Sequence, residues 1–174
     1  ATGDMGSDKE GNQKGTYTPG MDIIAKQTNF AEGARGHLGK QLMKEFNLDE
    51  GKTPQHFAIG FKEVWEVDND KHSPGDVVHS MGWPLKGGTS GGGFLYHFDN
   101  NRIAVGLIVD LNYSNPSHSP FQEFQQFKQH PSIKQFLESG KRVSYGARAI
   151  TKGGINSLVK MEFDGGMIVG CDAG

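Results

Sequence analysis

Apolar and polar positions change their period several times along the chain. Phe57, Ile59 and Phe61 alternate with Ala58 and Gly60, the two-residue period of a half-buried strand, and the pattern runs on toward Val67. Phe94–Phe98 and Arg102–Leu111 are two further apolar runs separated by Asp99-Asn-Asn101, residues that tolerate positive φ, so a β-hairpin is predicted. Leu38, Leu42, Met43 and Phe46 recur at helical spacing, predicting a helix over 36–46 that packs by one face. Phe121, Phe124 and Phe127 are expected on one side of a second helix that stops near His130, before Pro131. A short helix starting at Pro131 with Gly140 placed to end it, a strand over Val143–Ile150 and a short buried strand over Met167–Val169 complete the second half. In the first half, Lys9-Glu-Gly-Asn12 has the make-up of a hairpin turn, Met21–Phe30 reads as a strand, and 68–75 is a turn region. Helices and strands mix without a βαβ rhythm, which predicts an α+β fold with a mixed, largely antiparallel sheet.

The balance of residues narrows the function. The 174 residues are 34% hydrophobic and 22% charged with a net charge of −2, and no basic stripe suggests a nucleic-acid partner. The longest apolar stretch, Ile103–Val109, is far short of the roughly 20 residues of a spanning helix. Cys171 is the single cysteine, so no internal disulfide forms and no zinc or iron-sulfur site is supplied by thiolates of this chain. The histidines lack metal-ligand spacing, and no metal site is expected. The chain stops on a glycine turn directly after a buried strand, which reads as an excised fragment.

One segment concentrates the candidate chemistry: Lys86-Gly-Gly-Thr-Ser-Gly-Gly-Gly-Phe-Leu-Tyr-His97. A glycine-flanked serine, Ser90, suits a hydrolase nucleophile, but that chemistry needs an oriented histidine base and a double-barrel context that a short mixed chain does not offer. A phosphate cradle would need Lys and then Ser or Thr where Gly93-Phe94 stand. The third reading is bare backbone, where consecutive glycines let an N–H approach a flat ligand carrying a carbonyl, with Phe94-Leu95-Tyr96 as wall. A quinone fits that description.

A series of blocks in order closely resembles the electron-transfer flavoprotein:ubiquinone oxidoreductase family: Phe30-Ala-Glu-Gly-Ala-Arg-Gly-His-Leu-Gly-Lys-Gln-Leu42, Gly82-Trp-Pro-Leu85, Gly91-Gly-Gly-Phe-Leu-Tyr-His97, Ser119-Pro-Phe-Gln-Glu-Phe124, His130-Pro-Ser-Ile133 and Gly140-Lys-Arg-Val-Ser-Tyr-Gly-Ala-Arg148. The resemblance implies a parent enzyme that passes electrons from reduced electron-transfer flavoprotein through FAD and a [4Fe-4S] cluster to ubiquinone. Such an enzyme is monotopic on the bacterial or mitochondrial inner membrane, the fragment itself being soluble. It implies a ubiquinone-binding domain over 55–155 between pieces of the FAD domain at 1–54 and 156–174. The family's glycine pair at a ubiquinone carbonyl falls on Gly91 and Gly92, with Trp83, Phe94, Leu95 and Phe121 as pocket wall. Glu32, Gly33, Gly36 and Gly170 fall on FAD-contacting segments. The family often has Tyr before the glycine pair and Ser after it, where this chain has Ser90 and Gly93, a change expected to loosen the pocket. The dinucleotide glycine motif is absent, so the fragment is expected to hold neither FAD nor the cluster, and no side chain is assigned as a catalytic acid or base. A non-catalytic scaffold domain of the same fold is the alternative.

Overall fold

A computed structural model describes residues 2–174. Ten strands and three helices occur in the order β1 Met5–Ser7, β2 Gln13–Thr18, β3 Thr28–Phe30, α1 His37–Phe46, β4 Phe57–Glu66, β5 Val77–Met81, β6 Gly91–Phe98, β7 Arg102–Asp110, α2 Pro120–Phe127, α3 Pro131–Leu137, β8 Lys141–Thr151, β9 Glu162–Phe163 and β10 Gly166–Ile168. The strands form a hairpin β1-β2, a three-stranded sheet β3-β10-β9 and a five-stranded sheet β5-β6-β7-β4-β8. The large sheet is antiparallel throughout, and only β3-β10 pair in parallel. The expected α+β architecture is therefore what forms.

The β6-β7 hairpin turns at Asn100 and Asn101, whose φ values of 63° and 54° are the left-handed conformations that Asx side chains accept. Its register then assigns faces. Leu95, Ile103, Val105, Leu107 and Val109 point to one side, where Phe124, Phe127, Ile133 and Leu137 of α2 and α3 close a core. Both helices begin with proline at the first turn and a side-chain cap, Ser119 accepting from the Gln122 N–H and His130 accepting from the Ser132 N–H. Phe121 does not share the buried side: it is 52% exposed. Each three-residue step on a helix rotates about 60° short of a full turn, so Phe121 stands about 120° from Phe127.

A buried charge cluster ties three elements together. Glu63 of β4, 3% exposed, accepts from Lys128 Nζ at 2.9 and 3.0 Å, from Arg142 Nη1 of β8 at 3.1 Å and from Trp65 Nε1 at 2.9 Å. Four hydrogen bonds from three donor groups satisfy the carboxylate, which is how a buried ion pair is tolerated. The Lys128 ammonium also lies 5.0 Å from the Phe124 ring centroid.

A second, smaller core of Leu48, Val159, Ile168 and Ala173 packs α1 against the three-stranded sheet, joining the two ends of the chain. The expected strand over Met21–Phe30 is confined to Thr28–Phe30, because β10 runs alongside only those three residues. Met21, Ile23 and Ile24 are instead 69%, 77% and 96% exposed, with no strand beside them among the described residues. Strand β5 has no counterpart in the sequence pattern, since Val77-Val78-His79-Ser80-Met81 does not alternate.

Gly106 underlies the Phe94 ring, and a Cβ there would overlap that ring and stand 2.6 Å from the Phe61 carbonyl oxygen. Gly106→Ala is expected to cost about 1–3 kcal/mol in urea denaturation, with part of the loss recovered by Phe94→Leu in the same chain. Glu63→Ala leaves Lys128 buried without a carboxylate and is expected to cost about 3–5 kcal/mol. Lys134→Ala, which breaks an exposed pair with Glu138 at 3.7 Å, should cost under about 0.5 kcal/mol in the same assay.

Candidate functional site

The glycine segment is half loop and half strand. Gly87 and Gly88 take φ values of 63° and 79° in a turn closed by the Thr89 N–H donating to the Lys86 carbonyl at 3.1 Å. Gly91, Gly92 and Gly93 are already β6. Their missing side chains let neighbours close in: a Cβ on Gly91 would stand 2.6 Å from Leu85 Cδ1, one on Gly92 2.5 Å from the Ser80 carbonyl oxygen, and one on Gly93 would overlap the Phe127 ring. The expected loosening at Gly93 is thus met by Phe127, whose ring fills the space.

Ladder alternation decides where the backbone donors point. The Asp110 N–H donates to the Ser90 carbonyl at 2.9 Å, so even-numbered residues of β6 exchange bonds with β7, and the Gly92 N–H is directed to Ile108. Odd-numbered residues face β5, as the His97 N–H donating to Asp76 at 2.9 Å shows. The Gly91 N–H therefore points past the end of β5 toward the bend at Gly82, whose carbonyl accepts from the Leu85 N–H at 2.9 Å. Of the glycine pair, Gly91 offers the donor, and the missing side chain of Gly92 is taken up by the Ser80 backbone.

The remaining predicted wall residues divide between the two faces. Phe94 is half-buried on the side turned away from α2 and α3, its ring 5.5 Å from Tyr96. Leu95 is 1% exposed in the core on the opposite side. Trp83 is 45% exposed with its ring 5.0 Å from His130, and Phe121 lies 6.1 Å from Phe61, both on the helix side. Gly92 and Phe94 thus share one face of the sheet and Leu95 and Phe121 the other, while Trp83 adjoins the Gly82 bend toward which the Gly91 N–H points. Ser90 is exposed, and the histidine hydrogen bonds of the described residues go to Phe98, Ser73 and Ser132 rather than to its hydroxyl.

Glu32, Gly33, Gly36 and Gly170 do converge. The Glu32 carboxylate accepts from the Leu38 and Gly39 N–H groups at 2.8 and 2.9 Å, at the start of α1 where no other side chain caps the helix. The Glu32 N–H in turn donates to Asp172 Oδ2 at 3.1 Å across 140 residues of sequence. Gly36 and Gly39 are the floor on which these carboxylates lie: a Cβ on Gly36 would stand 2.7 Å from Glu32 Oε2, and one on Gly39 2.5 Å from Asp172 Oδ1. Gly33 and Gly170 turn the backbone with φ of 91° and 65°. Asp172 and Gly39 were not among the predicted site residues; the Gly-Cys-Asp-Ala-Gly run holds the only sequence hint for Asp172.

Beside them opens a cleft of about 480 Å³, lined among others by Arg35, Gly36, Lys40, Lys52, Phe57 and Asp172. Phe57 and Thr151 bring the end of the large sheet into this lining. Gly91 pairs with Val109, and Val109 with Ile59, so the glycine pair stands at the same end of the sheet, about 10 Å across it from β4. Among the described residues no group of three or more His, Cys, Asp or Glu could hold a metal, and no helix is long and apolar enough to cross a membrane.

The Gly39 N–H, with help from Leu38 and His37, holds the Glu32 carboxyl below its ordinary value of 4.5. A depressed carboxyl pKa stabilises the fold above the unfolded value, and this is lost as pH falls below 4.5 through the folded value. A carbon-detected NMR titration is expected to place the Glu32 midpoint below 4.5, and Glu32→Gln to flatten the acid side of the stability profile.

A sequence model of the family described as "ETF-QO, ubiquinone-binding" matches residues 57–150, nearly coextensive with β4 to β8. The Electron transfer flavoprotein-ubiquinone oxidoreductase of Pseudomonas aeruginosa is 62% identical over 99% of this chain, which covers 32% of that protein. The mitochondrial Electron transfer flavoprotein-ubiquinone oxidoreductase of Homo sapiens is 49% identical over the whole chain, which spans 28% of its length. Among solved structures, a geranylgeranyl bacteriochlorophyll reductase-like protein of Thermoplasma acidophilum superposes with a TM-score of 0.60 at 16% identity, over 86% of this chain and 34% of that one. A flavin-dependent brominase does so at 0.56 and 12%, over 90% and 39%, and these two likenesses speak for the fold alone. The match across the large sheet and the identity along the full chain lead to one conclusion: the chain belongs to the electron transfer flavoprotein-ubiquinone oxidoreductase family.

Proposed function

We propose that this chain is the quinone-binding part, with flanking flavin-domain pieces, of an oxidoreductase that carries electrons from reduced electron-transfer flavoprotein to ubiquinone. The observation that carries the reading is the family match over 57–150, the residues that build the sheet presenting Gly91 and Gly92. Residues 55–155 are then the ubiquinone-binding domain, and 1–54 with 156–174 belong to the FAD domain. The shared small core and the Glu32–Asp172 link support counting those two outer pieces as one body.

At the quinone, the Gly91 N–H is the donor that a ring carbonyl would meet, and the bare Gly92 lets the Ser80 backbone close in beside it. Reduction builds negative charge on that oxygen, and a fixed N–H directed at it favours the reduced state. Phe94 supplies an aromatic surface beside it; Leu95 supports from the core rather than by contact. Trp83 and Phe121 remain candidates on the helix side, where their exposed rings suit an apolar tail. Contact with a membrane is proposed along its surface, where Met81 at 90% exposure and Trp83 stand near the glycine turn.

The residues present fit part of FAD. Arg35, Lys40 and Lys52 line the cleft and suit a cofactor bearing phosphates, while the bare backbone at Gly33 and Gly36 permits its close approach. FAD, when bound, supplies the two-electron chemistry; Glu32, Asp172 and the Gly170 turn hold the shape of its seat. A [4Fe-4S] cluster does not fit: four thiolates are needed and Cys171 stands alone.

The test is a titration with a short-tailed, soluble ubiquinone, following backbone amides by NMR. Gly92→Val is a poor probe because its Cβ would press on the Ser80 carbonyl and disturb the β5-β6 pairing. The expected result is a shift centred on Gly91–Tyr96, largest at the Gly91 amide. No shift there in folded protein, with FAD added and without it, overturns the glycine-pair assignment and leaves a scaffold role.

A further inference from the structure

We propose that the outer edge of β8 pairs with an extended, carboxylate-bearing segment of the longer polypeptide, adding a sixth strand to the large sheet. Strand β8 is the longest in the molecule, eleven residues, and lies at the sheet edge with 141–149 exposed. The Lys152 N–H donates to the His56 carbonyl at 2.7 Å, so even-numbered residues bond to β4. The N–H and C=O groups of Tyr145, Ala147 and Ala149 therefore face outward. Pairing with β4 is uninterrupted from Ser144 to Thr151, the one register shift lying beyond it.

Edges left open in isolated sheets are usually blunted by proline, by a bulge or by charges on the outward-bonding residues. The register shift near Arg142 blunts only one end of this edge, and the outward-bonding Ala147 and Ala149 carry no charge, with no proline in the strand. The opposite edge, β5, is only five residues long, so it offers less than half the ladder. Charge selects the occupant. From Lys141 to Lys152 there are four cations and no acid. Arg142 is held by Glu63, and Lys152 by Asp110 at 2.5 Å. Lys141 and Arg148 have no carboxylate partner among the described residues, and they stand seven residues apart, about 23 Å along an extended strand. A segment with carboxylates at a matching separation satisfies both cations and the outward backbone together. About two-thirds of the length of the bacterial relatives lies outside the region matched here, which is ample chain to supply it. This inference rests on the fold and the family, not on the quinone reading.

The experiment is hydrogen exchange, measured by mass spectrometry, on the 174-residue chain and on the complete gene product. The outward amides of Tyr145, Ala147 and Ala149 are expected to exchange about 100-fold more slowly in the complete polypeptide. The inward amides of Gly146 and Arg148 serve as the control for a folded sheet and should be slow in both. Equal rates at the outward amides overturn the proposal, as does slowing in the 174-residue chain that grows with its concentration, which would assign the edge to a second copy. In the complete polypeptide, Arg148→Glu is expected to speed the outward amides about tenfold, with Arg148→Lys near the parent value. Unchanged protection in Arg148→Glu would overturn the carboxylate assignment.

Discussion

The register between β6 and β7 is the constraint on which the rest depends. Asn100 and Asn101 close the turn in left-handed conformations, and from that point every residue of both strands is committed to a face. A slip of β6 by one residue would turn Leu95 away from α2 and α3 and bring Phe94 and Tyr96 to that side. It would also exchange the bonding roles of Gly91 and Gly92. The same two-residue period that builds the core thus chooses which glycine amide leaves the ladder.

Close approach is the second theme. Glycines at 92, 93 and 106 are occupied from above by the Ser80 backbone, Phe127 and Phe94. The sheet uses them to draw an aromatic ring or a neighbouring strand in by the width of a side chain. The Glu63 cluster does the complementary work with charge, joining β4, the end of α2 and β8 by bonds that hydrophobic contact alone would leave unspecified in direction. Its three donor groups make the carboxylate tolerable in the core, and its geometry fixes how α2 sits on the sheet.

The two ends of the chain meet at the carboxylates of Glu32 and Asp172 over a glycine floor, and the cleft beside them reaches the end of the large sheet at Phe57 and Thr151. The cleft and the glycine pair thereby stand at one end of one sheet.

Much was legible from the sequence alone. Alternation at Phe57–Phe61 and Phe94–Phe98, the Asx turn between two apolar runs, and proline at the start of α2 and α3 each act through contacts a few residues long, so local chemistry settled them. The ordered blocks also identified the family. Other features depended on partners distant in the chain. Met21–Ala25 has strand chemistry but no strand beside it, β5 lacks alternation yet pairs with β6, and Phe121 faces solvent because rotation along the helix carries it off the core. The faces of Phe94 and Leu95, the outward donor at Gly91 and the bond between Glu32 and Asp172 were decided by tertiary structure. The physical reason is that a hydrogen bond or a buried face belongs to two segments, and the sequence of one segment does not contain the position of the other.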